Sequence, residues 1–142
     1  MLRPNVPTAA IEDRLTAFVD ALPEDTGINA RSVVHAWMSG GGDAQVGRLT
    51  IRLLSGRDPP FTAGTIHAPR GDAVHPRLEL SRVLLEQHGV DWLHWSDEFA
   101  DLKHHGFDAG AKFPTVTFDE RLTAAEVARL VTGVRDLAKM VE

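Results

Sequence analysis

Arg31-Ser-Val-Val-His-Ala-Trp-Met38, Gln45-Val-Gly-Arg-Leu-Thr-Ile-Arg-Leu-Leu54 and Phe61-Thr-Ala-Gly-Thr-Ile-His-Ala68 are the runs on which the fold turns. Each is rich in the β-branched and aromatic residues that fit a pleated surface. Ser39-Gly40-Gly41-Gly42-Asp43 lies between the first two, with residues that tolerate positive φ. Ser55-Gly56-Arg57-Asp58-Pro59-Pro60 lies between the last two and adds prolines that cannot join a ladder. The pattern predicts an antiparallel three-stranded meander.

Outward from this meander, Ile11, Leu15, Phe18, Val19 and Leu22 recur at helical spacing, with Thr8 placed to cap and Pro23 to stop, which predicts a helix from about residue 9 to 22. Glu24 to Asn29 reads as a linker, and Pro69 to His75 as a loop. Pro76 opens a predicted helix lined by Leu80, Val83, Leu84 and Gln87 and ended by Gly89, after which Val90 to Trp95 is a strand candidate. Ser96 is placed to cap a short helix holding Phe99 and Leu102, with Gly106 in the left-handed position beyond it. Phe113 to Phe118 reads as a strand, with Pro114 at its start or on an exposed edge. Thr123 and Glu126 spell a capping box before Val127, Leu130, Val134, Leu137 and Val141, a helical stripe of more than four turns.

The expected fold is therefore a single α+β domain over residues 1–142, ordered α-β-β-β-α-β-α-β-α, with residues 1–7 a flexible N-terminus. Helices separate the later strands, which predicts parallel pairing through crossovers and hence a mixed sheet. A chain of 142 residues is long enough to bury a core without staples. Its net charge of −5 argues against a broad nucleic-acid surface. With no cysteine it has neither disulfides nor thiol chemistry. No apolar run approaches the length of a membrane helix or a secretory signal, so the expected location is the cytoplasm.

This order of a helix, a three-stranded meander, a helix and a strand is similar to the core of restriction-endonuclease-like nucleases. The resemblance implies an acid near the second strand and an acid-x-lysine on the third, where carboxylates hold Mg²⁺ and lysine assists the attacking water. Here the third run reads Thr62-Ala63-Gly64-Thr65-Ile66-His67, with neither carboxylate nor lysine.

Other chemistry is equally sparse. Of the seven histidines, His104 and His105 beside Gly106, and His88 before Gly89, read as helix-end residues that favour the negative end of the dipole. His67, Asp72 and His75 are the nearest compact set, without metal-ligand spacing, so no bound metal and no cofactor are expected. The serines lack a nucleophile elbow, and Gly40-Gly41-Gly42 lacks the lysine and helix of a phosphate loop.

Strand alternation yields one constellation. Val34, Ala36, Met38, Leu49, Ile51, Leu53 and Ile66 fall on one face of the meander, and His35, Arg48 and His67 line up on the other, flanked by Thr50, Thr65, Arg52 and Val33, with Trp37 beside Val46. The expected binding residues are thus His35, Arg48, Arg52, His67 and Trp37, on a face that docks an acidic protein partner or an anion. That makes the chain a non-enzymatic interaction module of inhibitor, immunity, chaperone or assembly type, with no catalytic residue. The alternative is a small hydrolase or nuclease-like enzyme whose site is assembled from His67, Asp72, His75 and Arg48.

Overall fold

The computed structural model describes residues 7–22, 24–71, 74–119 and 121–141. The expected flexible segment lies outside them except for Pro7, as do Pro23 and Asp72. The chain has an α+β fold in which helices α1 (Ala9–Asp20) and α2 (Glu24–Ser39) precede strands β1 (Asp43–Val46), β2 (Thr50–Leu54), β3 (Thr62–His67) and β4 (Arg77–Leu80). Helices α3 (Arg82–Gln87) and α4 (Trp92–Asp97), a 3₁₀ helix (Ala100–His105), strand β5 (Thr115–Thr117) and helix α5 (Ala124–Met140) follow.

The stretch 31–38 is helical, which corrects its reading as a strand and that of 24–29 as a linker. Ala30, Val33, Val34, Trp37 and Met38 stand at i, i+3, i+4, i+7 and i+8, and all are buried. That 3.6-residue period outweighs the β-propensity of Val33-Val34, because α2 can bury this stripe between α1 and α5. The Gly40-Gly41-Gly42 run closes this helix instead of a hairpin. Gly41 has φ 106°, and the Gly42 amide donates to the Trp37 carbonyl at 3.1 Å.

A three-stranded antiparallel meander does exist, displaced along the sequence. The expected second strand folds back on itself at Gly47-Arg48-Leu49, where the Gly47 amide donates to the Thr50 carbonyl at 2.8 Å, so β1 and β2 come from one apolar run. β3 lies where expected, and β4 and β5 extend the sheet in the order β1-β2-β3-β4-β5. All four pairings are antiparallel, which replaces the expected mixed sheet. The predicted crossover helix at 76–89 is instead strand β4 followed by the short α3, and the chain between β4 and β5 returns to the end of the sheet it left. Arg77-Leu78-Glu79-Leu80 alternates strictly, with both leucines buried. In α3 it is Leu85 that meets the core, while Val83 and Leu84 are exposed. The expected strand at Val90 to Trp95 is not formed: Trp92 to Trp95 belong to α4, because Asp91 caps it and Trp92, Trp95 and Phe99 fall on one helical side.

The inward sheet face consists of two rows, Ala44, Leu53, Gly64 and Leu80, then Val46, Ile51, Ile66, Leu78 and Val116. Leu49, expected on this face, sits in the β1–β2 turn at 52% exposure. On the helical layer α5 carries the predicted stripe, with Leu130, Val134, Leu137 and Val141 buried behind its capping box. Trp95 donates to the Gly133 carbonyl at 3.0 Å, and the Phe99 ring lies on Gly133, where a Cβ would overlap it. Among the described residues no helix is long and apolar enough to cross a membrane.

Candidate binding surface on the open face of the sheet

Alternation that sends the apolar rows inward sends the polar residues of the same strands outward. Gln45, Arg52, Thr65, Glu79 and Thr115 form one outward row across all five strands, and Thr50, His67, Arg77 and Thr117 form the next across four. Every one of these residues is half-buried or exposed. Arg52 is held upright by Thr62 Oγ1 at 2.6 Å and Gln45 Oε1 at 3.0 Å, neutral acceptors that leave its charge uncompensated. Arg77 makes no ion pair with any described residue. Glu79 is the acid in these rows, with Oε1 3.7 Å from His67 Nε2.

Of the residues expected to bind, Arg52 and His67 stand on this face beside Thr50 and Thr65. The other three do not, so the predicted row of His35, Arg48 and His67 is not formed. His35 is on α2, where its Nε2 meets Glu12 Oε1 at 2.8 Å while Arg31 bonds the other carboxylate oxygen at 2.9 Å, tying α2 to α1. Trp37 is core, 1% exposed, and donates to the Leu54 carbonyl at 2.8 Å. Arg48 projects from the β1–β2 turn, which belongs to neither sheet face, and lines a cleft against α1. For His35 and Trp37 the cause is a helix in place of the first strand, since helical side chains rotate by about 100° per residue and alternation assigns them no face, whereas Arg48 is displaced by the turn that splits the second run.

A second polar assembly lies at the end of the sheet and was not legible in the sequence. His105, which reads there as a helix-end residue, is 5% exposed, with Nδ1 3.0 Å from both Asp119 oxygens and Nε2 3.1 Å from Glu126 Oε2. A ring with a carboxylate on each nitrogen donates from both, which is the imidazolium form. Burial opposes that charge most strongly, yet the bonds and charges of Asp119 and Glu126 together hold the His105 pKa above its ordinary value. Burial raises Asp119, but the bonds from His105 and from the Arg121 amide bring it below the usual carboxylate range. Glu126 is lowered first by the Thr123 amide of the capping box, then by His105. The one signal available in sequence was Glu126, whose box position points it back at the start of α5.

This triad ties the 3₁₀ helix to the β5–α5 connection, and its His105 and Asp119 border a cavity of about 400 Å³ that His75, His104, Thr117 and Arg121 help line. With both ring nitrogens engaged, His105 has no free lone pair to accept a proton from a substrate. Elsewhere His88 stacks on Phe61 at 3.9 Å and meets Arg57 NH1 at 3.0 Å through Nδ1. Among the described residues no three His, Asp or Glu side chains are grouped to hold a metal ion. Compared with known protein families, curated proteins and solved structures, the chain matches none of them.

Proposed function

We propose that this chain is a non-enzymatic interaction module that docks an acidic protein on the open face of its sheet. The observation that supports this most is the pair of outward rows, where Arg52, His67 and Arg77 face one acid, Glu79, within a field of threonines. Threonine hydroxyls and the guanidinium groups of exposed Arg52 and half-buried Arg77 on a broad sheet suit a partner's carboxylates, since arginine offers a fork of donors that needs little reorganisation. The chain carries net charge −5, so such a face steers a partner by local rather than overall potential.

The experiment is affinity purification from the native host with mass spectrometry, followed by titration of the co-purifying protein against Arg52→Glu/Arg77→Glu. Two charge reversals should weaken binding at least about ten-fold and flatten its salt dependence. Unchanged affinity and salt slope would refute the proposal.

The cavity beside His105 favours a second reading, a small hydrolase working through His104 and His75, because it is concave and bordered by groups with displaced pKa values. Turnover of ester or phosphoester panels that disappears in His104→Ala, with partner binding intact, would select it.

A further inference from the structure

The cleft in which Arg48 came to lie has a volume of about 660 Å³, within the usual range for small-molecule sites. One wall is α1 with the residues that follow it, contributing Ala17, Phe18 and Leu22, and the other is the β1–β2 turn with Val46 and Leu49, closed off by Ala68 and Pro69 after β3. Phe18 and Val46 are buried at its base, and Leu49 remains 52% exposed although it is held through its carbonyl by the Ala68 amide at 2.9 Å. Two charged residues line it, Arg14 from α1 and Arg48 from the turn, with no carboxylate in the lining. Neither guanidinium has an ion pair or hydrogen bond with a described residue. In a chain with 20 acids and 15 Lys and Arg, an apolar cleft whose two charged lining residues are cations without a partner among the described residues is a local inversion of the overall balance.

We infer that this cleft binds a fatty-acid-like carboxylate, its chain against Phe18, Val46 and Leu49 and its headgroup between Arg14 and Arg48. The complementarity is double. The apolar walls gain by removing an alkyl chain from water, and a guanidinium pairs bidentately with a carboxylate, which an alcohol or an ammonium group cannot reproduce. This site lies apart from the open sheet face, since Arg48 and Leu49 occupy the turn between strands, so the inference stands whether or not that face docks a protein.

The test titrates the full chain with decanoate, decanol and decyltrimethylammonium, followed by NMR shift mapping. Decanoate should bind saturably at least about ten-fold more tightly than decanol, with the ammonium probe weaker still, and the shifts should centre on Ala17, Phe18, Val46, Leu49 and Ala68. Arg14→Ala/Arg48→Ala, both at exposed positions, should fold normally and lose that preference for decanoate over decanol. Ala17→Trp, also at an exposed position, should block both neutral and anionic probes by filling the cleft. The inference is overturned if decanoate binds no better than decanol, if the double arginine variant retains the preference, or if the shifts lie elsewhere. Sedimentation showing a dimer that buries Leu49 and is not displaced by decanoate would assign the cleft to a second copy and overturn it equally.

Discussion

Replacing His105 with alanine isolates the charge that ties the 3₁₀ helix to the β5–α5 connection. The ring is 4% exposed by side chain, and its partners Asp119 and Glu126 are 14% and 16% exposed, so none is well screened by solvent. Removing the imidazolium discards two charge-assisted bonds and leaves two carboxylates near one another without their cation, a loss of about 3–5 kcal/mol. The pH dependence separates this from simple loss of packing. A raised His105 pKa gives a contribution that is complete below the unfolded histidine value of about 6.5 and disappears as pH rises through the folded value. Lowered pKa values at Asp119 and Glu126 give contributions that are complete above their unfolded values, near 4, and are lost as pH falls through the folded ones. The stability gap between wild type and His105→Ala should therefore be widest between about pH 4.5 and 6.5, and narrow on both sides. Urea denaturation followed by tryptophan fluorescence at half-unit steps from about pH 2.5 to 9 measures it. A gap that is constant across that range, or below about 1 kcal/mol at pH 6, would refute the imidazolium bridge.

Leu130→Ala should cost about 2–5 kcal/mol in the same denaturation assay, because the side chain is 2% exposed in the α5 stripe and its removal leaves a cavity. Gly133→Ala should also destabilise. The gain in helix propensity of about 1 kcal/mol is outweighed by overpacking of about 1–3 kcal/mol against the Phe99 ring, and Phe99→Leu in the same chain should recover part of the loss. Calorimetry of the two single variants and the double one checks the sign, and additive losses would mean that the two residues do not share the space.

Several elements were written locally. Thr123 and Glu126 specify the start of α5 whatever surrounds it, and both side-chain bonds of the box are present at 3.1 and 2.9 Å. Gly106, φ 89°, ends the 3₁₀ helix as its position after a basic run implies, and Thr8 caps α1 by accepting from the Ile11 amide. These devices act within four residues, so sequence is sufficient for them. The α+β class, the antiparallel meander and the outward placement of Thr50, Arg52, Thr65 and His67 follow from alternation in the runs that are truly strands.

What sequence alone could not decide was the state of residues 31–38, where a β-branched pair and a helical period coexist. The choice is made by α1 and α5, which supply the surface that a helical stripe of Val33, Val34 and Trp37 requires. From that choice follow the removal of His35 and Trp37 from the sheet, the turn that sends Arg48 into the cleft with Arg14, and the openness of the opposite face. His105 belongs with these outcomes. Its partners lie 14 and 21 residues away, beyond the reach of any local rule, and only the meeting of the 3₁₀ helix with the segment after β5 and the first turn of α5 brings an ordinary helix-end histidine between two carboxylates. Sequence determined which residues can cap, alternate or repeat; tertiary structure determined which surfaces meet, because burial, and with it charge pairing, depends on elements that arrive from distant parts of the chain.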